Sequence, residues 1–202
     1  MSIYILPIIL LGYLVGSIPF SFLTAKYLGK IDIRNYGSGN SGATNVLRTL
    51  GKKAGTVAFI GDFLKGFILV TIVKSVLGLD LAIICSISAV FGHCYPIYLK
   101  FKGGKGVATS GGTIFALYPL VGVILAICLF TIVKVSKMVS LGSISAAFLL
   151  PIISLLLNTE KSFLIYSIIA GLFVIYKHKA NISRLIQGKE SKLGSKPIKK
   201  NP

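Results

Sequence analysis

The sequence predicts an all-α, polytopic integral membrane protein of about seven transmembrane helices, two of them short, with the N-terminus outside and the C-terminus cytoplasmic. Three observations predict it. Of 202 residues 54% are hydrophobic and 13% charged, too little charge for a soluble domain of this length. The apolar residues come in blocks, and the stretches 3–25, 107–133 and 138–157 contain no charged residue. At about 1.5 Å rise per residue, roughly 20 helical residues cross a hydrocarbon core about 30 Å thick. The 22 basic residues, against 5 acidic ones, also gather on one loop and one tail. That asymmetry sets orientation and needs no nucleic-acid partner.

Seven apolar segments follow in order: 3–25, 54–73, 81–99, 107–118, 119–133, 138–157 and 162–176. The first has no basic residue ahead of it and ends at Lys26, which makes it a retained span rather than a cleaved leader. The loop carrying Lys26, Lys30, Arg34, Arg48, Lys52 and Lys53 is expected inside, as is the tail from Lys177 onward. Both fall on one side only if residues 107–133 cross twice, as two short helices hinged at Tyr118-Pro119, where proline ends a helix. The chain divides into a transmembrane domain, 1–188, with its polar loops on the cytoplasmic face, and a basic tail, 189–202. Cys85, Cys94 and Cys128 all sit in apolar runs, an odd count without a Cys-x-x-Cys pair, so neither a disulfide framework nor a metal site is expected.

Three polar motifs collect on the cytoplasmic face. The first is Gly37-Ser38-Gly39-Asn40-Ser41-Gly42-Ala43-Thr44-Asn45, with Arg48 beyond it. Alternating glycines let backbone N–H groups close around an anion, and arginine adds a bidentate partner for phosphate. The second is Gly92-His93-Cys94-Tyr95-Pro96 followed by Lys102-Gly103-Gly104-Lys105-Gly106, which runs into a helix N-terminus suited to anions. It is not a nucleotide P-loop, because Leu99 stands at the first glycine position and Gly106 follows the lysine. The third is His178-Lys179-Ala180-Asn181-Ile182-Ser183-Arg184-Leu185, in which His178 and Asn181 share a helical face. His93 reads as a structural histidine, Asp62 and Lys65 as an intramembrane ion pair, and Ser140 and Ser143 as helix-start serines.

Together these motifs resemble the bacterial acyl-phosphate-dependent glycerol-3-phosphate acyltransferase family, PlsY, over nearly the whole chain. The resemblance implies a multi-pass enzyme of the bacterial inner membrane, seven helices with the N-terminus outside, and an active site open to the cytosol. It implies that a fatty acyl group moves from acyl phosphate to the 1-hydroxyl of glycerol 3-phosphate, releasing phosphate, with no cofactor. Implied partners are the two substrates, membrane lipid and the enzyme that makes acyl phosphate. By motif match the family's roles fall on Ser38, Arg48 and Lys105 for substrate phosphate and on Ser143, His178 and Asn181 for catalysis. Gly39, Asn40, Thr44, Asn45, Gly103, Gly104 and Gly106 flank them as further substrate-binding positions. His178 would position the glycerol hydroxyl or act as base, a role that a substrate phosphate oxygen could fill equally. A carrier for a small phosphorylated solute is the rival reading. It would place polar residues through the bilayer and a site near its midplane, whereas these motifs keep to one face.

Overall fold

The computed structural model describes residues 2–194, which form an all-helical bundle with no β-strand among the described residues. Helices α1 (Ser2–Ser17) and α2 (Phe20–Gly29) make one apolar stretch interrupted at Ile18-Pro19. The proline ring removes a backbone donor there and ends the first run. Between α2 and the next long helix lie a 3₁₀ turn (Ile33–Asn35), the first glycine-rich loop and α3 (Ala43–Leu50). This short amphipathic helix stands in what the sequence reads as loop. Its buried residue Val46 packs with Ala25, Ile33, Ala54 and Ala58 in a small apolar cluster beside the first glycine-rich loop.

Helices α4 (Lys52–Leu77) and α5 (Leu79–Cys94) follow, joined by Gly78. Then come α6 (Val107–Leu117), α7 (Pro119–Ser136), α8 (Val139–Leu156), α9 (Lys161–Lys177) and α10 (Lys179–Ile186). Five stretches are long and apolar enough to cross a bilayer: Ile3–Gly29, Lys52–Leu77, Leu79–Leu99, Pro119–Ser136 and Val139–Leu156. The pair α9 and α10, bent by 62°, adds a sixth if taken as one crossing, and α6 is a shorter apolar helix. The break at Tyr118-Pro119 matches the expected hinge, but one of the two flanking segments is not short. Helix α7 continues to Ser136 and has 18 residues, about 27 Å at 1.5 Å per residue and enough for a full span. The sequence limit at Val133 stopped at the first charge, Lys134, which sits in the last turn of α7, where a cation is favoured.

Helix α5 is the most enclosed span. It meets α1 at backbone contact: a Cβ at Gly16 would lie 2.1 Å from Ala89 O, and one at Gly92 would lie 2.3 Å from Tyr13 O. Without a hydrophobic driving force between helices in lipid, such close approach supplies the packing. Outward-facing residues such as Leu120, Ile127, Phe130, Leu155 and Leu172 stay exposed, which suits a hydrocarbon solvent.

The expected Asp62–Lys65 pair forms inside the bundle at 2.9 Å, with both side chains almost fully buried. Ser21 Oγ donates to Asp62 at 2.5 Å. Lys65 Nζ donates to the Ile18 carbonyl at 2.6 Å, a group that the helix break leaves without its regular partner. His93 Nδ1 lies 3.1 Å from both Lys65 Nζ and Thr109 Oγ1, so α2, α4, α5 and α6 share one polar knot. Removing one charge strands the other, at a cost of about 3–5 kcal/mol, whereas removing both need not. Lys65→Met and Asp62→Leu should therefore each lower the melting temperature in detergent clearly, and the double variant should lower it less than the sum. Additive losses would show that the two charges are held independently.

Candidate active site

The first loop is built around Asn45. Its Nδ2 donates to the carbonyls of Ile33 (3.1 Å), Tyr36 (2.9 Å) and Asn40 (3.0 Å), and its Oδ1 accepts from Ser38 N (3.0 Å). The Asn45 side chain is thus spent on holding the loop. Ser38, Asn40, Thr44 and Arg48 line a cavity of about 700 Å³. Gly39 turns the other way, toward a smaller polar hollow beside Asp32, Arg34, Lys102 and Gly103.

The second loop is pressed onto the end of α5. Gly104 N donates to His93 O at 3.2 Å, and a Cβ on Gly104 would lie 2.2 Å from His93 Nε2. Gly104 is therefore required by packing. Gly106, at φ +84, starts α6 and lines the cavity with Lys105. The structure thus brings Lys105 and Gly106 to the main cavity, but not Gly39, Gly103 or Gly104.

The third motif occupies the bend between α9 and α10. His178 Nδ1 sits 2.8 Å from Val174 O. A carbonyl can only accept, so Nδ1 carries the proton and Nε2 keeps its lone pair. Burial, reinforced by the Lys105 cation, pushes the His178 pKa down to about 4, so the ring is neutral at physiological pH. Asn181 Oδ1 accepts from Lys105 Nζ. Ser143 Oγ donates to Val139 O at 2.9 Å within α8, which leaves its lone pairs facing the cavity it lines.

Sequence reasoning missed Glu190. The sequence gives it no role, at the end of the third motif and the start of the basic tail, yet its carboxylate accepts from Ser140 Oγ, Asn181 Nδ2 and Arg184 Nε, each at 2.8 Å. Burial would raise its pKa, but these hydrogen bonds and the Arg184 charge outweigh burial and hold it below the usual carboxylate range. Arg48 donates to Ser191 O at 2.9 Å, Leu193 N donates to Lys137 O at 2.7 Å, and Leu193 lines the cavity. Residues 189–193, read as the start of the tail, therefore pack along one side of the site. The available clue was scarcity, since Glu190 is one of only 5 acidic residues in the chain. Of the expected tail, Lys196, Lys199 and Lys200 lie outside the described residues.

Arg48, Lys105 and Arg184 surround this single carboxylate, and Arg48 Nε is buried with no hydrogen-bond partner among the described residues. Burial lowers the pKa of Arg48, and that of Lys105 to about 8, the mark of cations short of anionic company. The cavity joins this positive mouth to an apolar interior of Phe63, Ile114, Leu125, Leu129 and Leu150. It fits a ligand with an anionic head and a hydrocarbon tail.

A family model described as glycerol-3-phosphate acyltransferase matches residues 6–188. The chain is 45% identical over 187 residues to the glycerol-3-phosphate acyltransferase of Thermoanaerobacter pseudethanolicus, covering 93% of this chain and 94% of that one. It is 47% identical over 189 residues to that of Syntrophomonas wolfei, covering 94% and 97%. The chain belongs to the glycerol-3-phosphate acyltransferase family. Two crystal structures of PlsY, an integral membrane glycerol 3-phosphate acyltransferase, share its fold. The glycerol 3-phosphate form matches with a TM-score of 0.90 at 41% identity, over 94% of this chain and 96% of that one. The lysophosphatidic acid form matches with a TM-score of 0.87 at 40% identity, over 94% and 95%.

Lys105 contributes positive charge to the cavity mouth, so its protonation governs how strongly that mouth draws an anion. Because the Lys105 pKa is lowered to about 8, the cation is present below that pH and lost above it. Sulfate, whose own charge is constant over this range, should protect the protein against thermal unfolding at pH 7 and protect it less as pH rises past 8. Lys105→Met should remove that pH dependence; an unchanged profile would place the titrating group elsewhere.

Proposed function

We propose that this protein transfers a fatty acyl group from acyl phosphate to the 1-hydroxyl of sn-glycerol 3-phosphate, giving 1-acyl-sn-glycerol 3-phosphate and inorganic phosphate, the first acylation in phospholipid synthesis. The observation that carries the reading is the meeting of Arg48, Lys105 and a neutral His178 at the mouth of an apolar cavity. Glycerol 3-phosphate and lysophosphatidic acid are the ligands of the similar PlsY structures, and both match this head-and-tail chemistry.

In this reading Arg48, Ser38 and the loop N–H groups hold one phosphate, and Lys105 bridges toward the other. The acceptor's 2-hydroxyl donates a hydrogen bond to His178 Nε2, and its 1-hydroxyl, hydrogen-bonded to a phosphate oxygen, attacks the acyl carbon. A new ester C–O bond forms, the bond between acyl carbon and phosphate oxygen breaks, and phosphate leaves with the electron pair. The hydroxyl proton passes to a phosphate oxygen, because a phosphate monoester with a second pKa near 6 is a stronger base than His178 at about 4. Asn181 and Ser143 orient the hydroxyl and the carbonyl. The donor is an activated anhydride, so positioning and charge neutralisation supply the rate without an acyl-enzyme.

The proposal extends to topology: seven crossings with α6 as the short one, the N-terminus outside, and the site facing the cytoplasm of a bacterial inner membrane. The enzyme that makes acyl phosphate is then the partner that delivers the donor, and the basic tail meets anionic headgroups.

Purified protein should form product from glycerol 3-phosphate with acyl phosphate and not with acyl-CoA. Arg48→Ala and Lys105→Ala should each lose about 10- to 150-fold in kcat/KM while staying folded, the worth of one charge-assisted hydrogen bond. Turnover with acyl-CoA alone would sink the donor assignment. For topology, single cysteines at Asp80 and Lys53, in a background free of native cysteines, should react with an impermeant maleimide from outside and from inside respectively. Labelling of both from one side would defeat the seven-crossing count.

A further inference from the structure

Eleven helical positions separate Val133 from Gly122 along the cavity face of α7, about 16 Å at 1.5 Å per residue. That is close to one leaflet of a hydrocarbon core about 30 Å thick. The upper end lies where Gly142 meets Val133, and the lower end where Gly122 meets the Phe115 ring. Phe115 packs edge-on against Phe63 with ring centroids 5.6 Å apart; both rings line the cavity, Phe115 near the end of α6 remote from Lys105.

One turn above Phe115, on the same face of α6, stands Gly111, which also lines the cavity. Gly112, next to it on α6, and Gly122, on α7, are dictated by packing. A Cβ at Gly112 would lie 2.1 Å from Phe63 O, and one at Gly122 would lie 2.7 Å from Phe115 Cδ2. At Gly111 a Cβ would meet only the Phe63 ring edge, at 3.7 and 3.8 Å, which is ordinary contact. Glycine weakens a helix interior relative to alanine. Its helical backbone and its neighbours give no reason for it here, so what it provides is room inside the cavity.

We infer that Gly111 and Phe115 form the ruler that sets the length of the acyl chain this enzyme accepts, an inference that rests on the acyl-donor reading above. With Gly111 bare, a chain descends past Phe63 to the Phe115 floor. A side chain at position 111 fills the groove one turn higher and removes about 6 Å of its depth.

The test compares kcat/KM for palmitoyl phosphate and decanoyl phosphate in the wild type, Gly111→Val, Gly111→Leu and Phe115→Ala. Melting temperature in detergent and KM for glycerol 3-phosphate are measured on each. The two Gly111 variants should lower the long-to-short ratio at least about tenfold, as steric occlusion of a hydrophobic pocket does, with the glycerol 3-phosphate KM unmoved. Phe115→Ala, tested with stearoyl phosphate as well, should raise the stearoyl-to-decanoyl ratio. Should Gly111→Leu fail to fold, Gly111→Ala gives the same direction in smaller measure. Folded variants with the wild-type ratio overturn the ruler and leave the donor reading intact. Wild-type protein that accepts no acyl phosphate of any length overturns the donor reading, and the ruler with it.

Discussion

Hydrocarbon offers no hydrogen-bond partner to a backbone carbonyl, yet this bundle breaks its helices at three places that shape the site. Each break is answered by a basic side chain. At Ile18-Pro19 the freed Ile18 carbonyl accepts from Lys65, itself neutralised by Asp62. At the end of α6, the carbonyls of Ala116 and Leu117 accept from Lys74. At the α9–α10 bend, Val174 O accepts from His178. A broken helix in a membrane is tolerated only where such partners exist. The short α6, whose N-terminus carries Lys105 and whose C-terminus would otherwise expose carbonyls, depends on this constraint most directly.

The same economy operates in the site. His178 uses one ring nitrogen to satisfy the helix and so has the other, unprotonated, for the cavity. Asn181 is fixed at both ends, accepting from Lys105 and donating to Glu190. Glu190 in turn ties Ser140 of α8 and Arg184 of α10 to it. One carboxylate orients several groups while leaving the mouth of the cavity positively charged. Asn45 does the equivalent for the first loop with four hydrogen bonds to backbone. These two residues act through the groups they hold.

Much of the fold was legible in the sequence because a bilayer imposes one-dimensional rules. Apolar block length marked the spans, Pro119 marked the α6–α7 break, and the spacing of Asp62 and Lys65 marked their ion pair. The errors came where a single charge was read as a boundary. Lys134 sits in the last turn of α7 instead of ending it, and Lys189 opens a segment that packs against the site. In the site, Ser38, Arg48, Lys105, Ser143, His178 and Asn181 do line one cavity. Glycine-rich composition pointed to the right loops but could not separate the glycine that starts α6, Gly106, from those that only let backbone approach His93.

By itself, then, the sequence determined the apolar solvent, the approximate positions of the helices and the gathering of polar residues into three motifs. All of these follow from local composition and periodicity. Only the tertiary structure decided that Glu190 anchors the third motif, that Asn45 is spent on its own loop, and that His178 presents Nε2. It also decided which glycine leaves empty space. Those facts depend on which group lies within about 3 Å of which other, and the choice of partner for a side-chain atom leaves no periodic trace in the sequence.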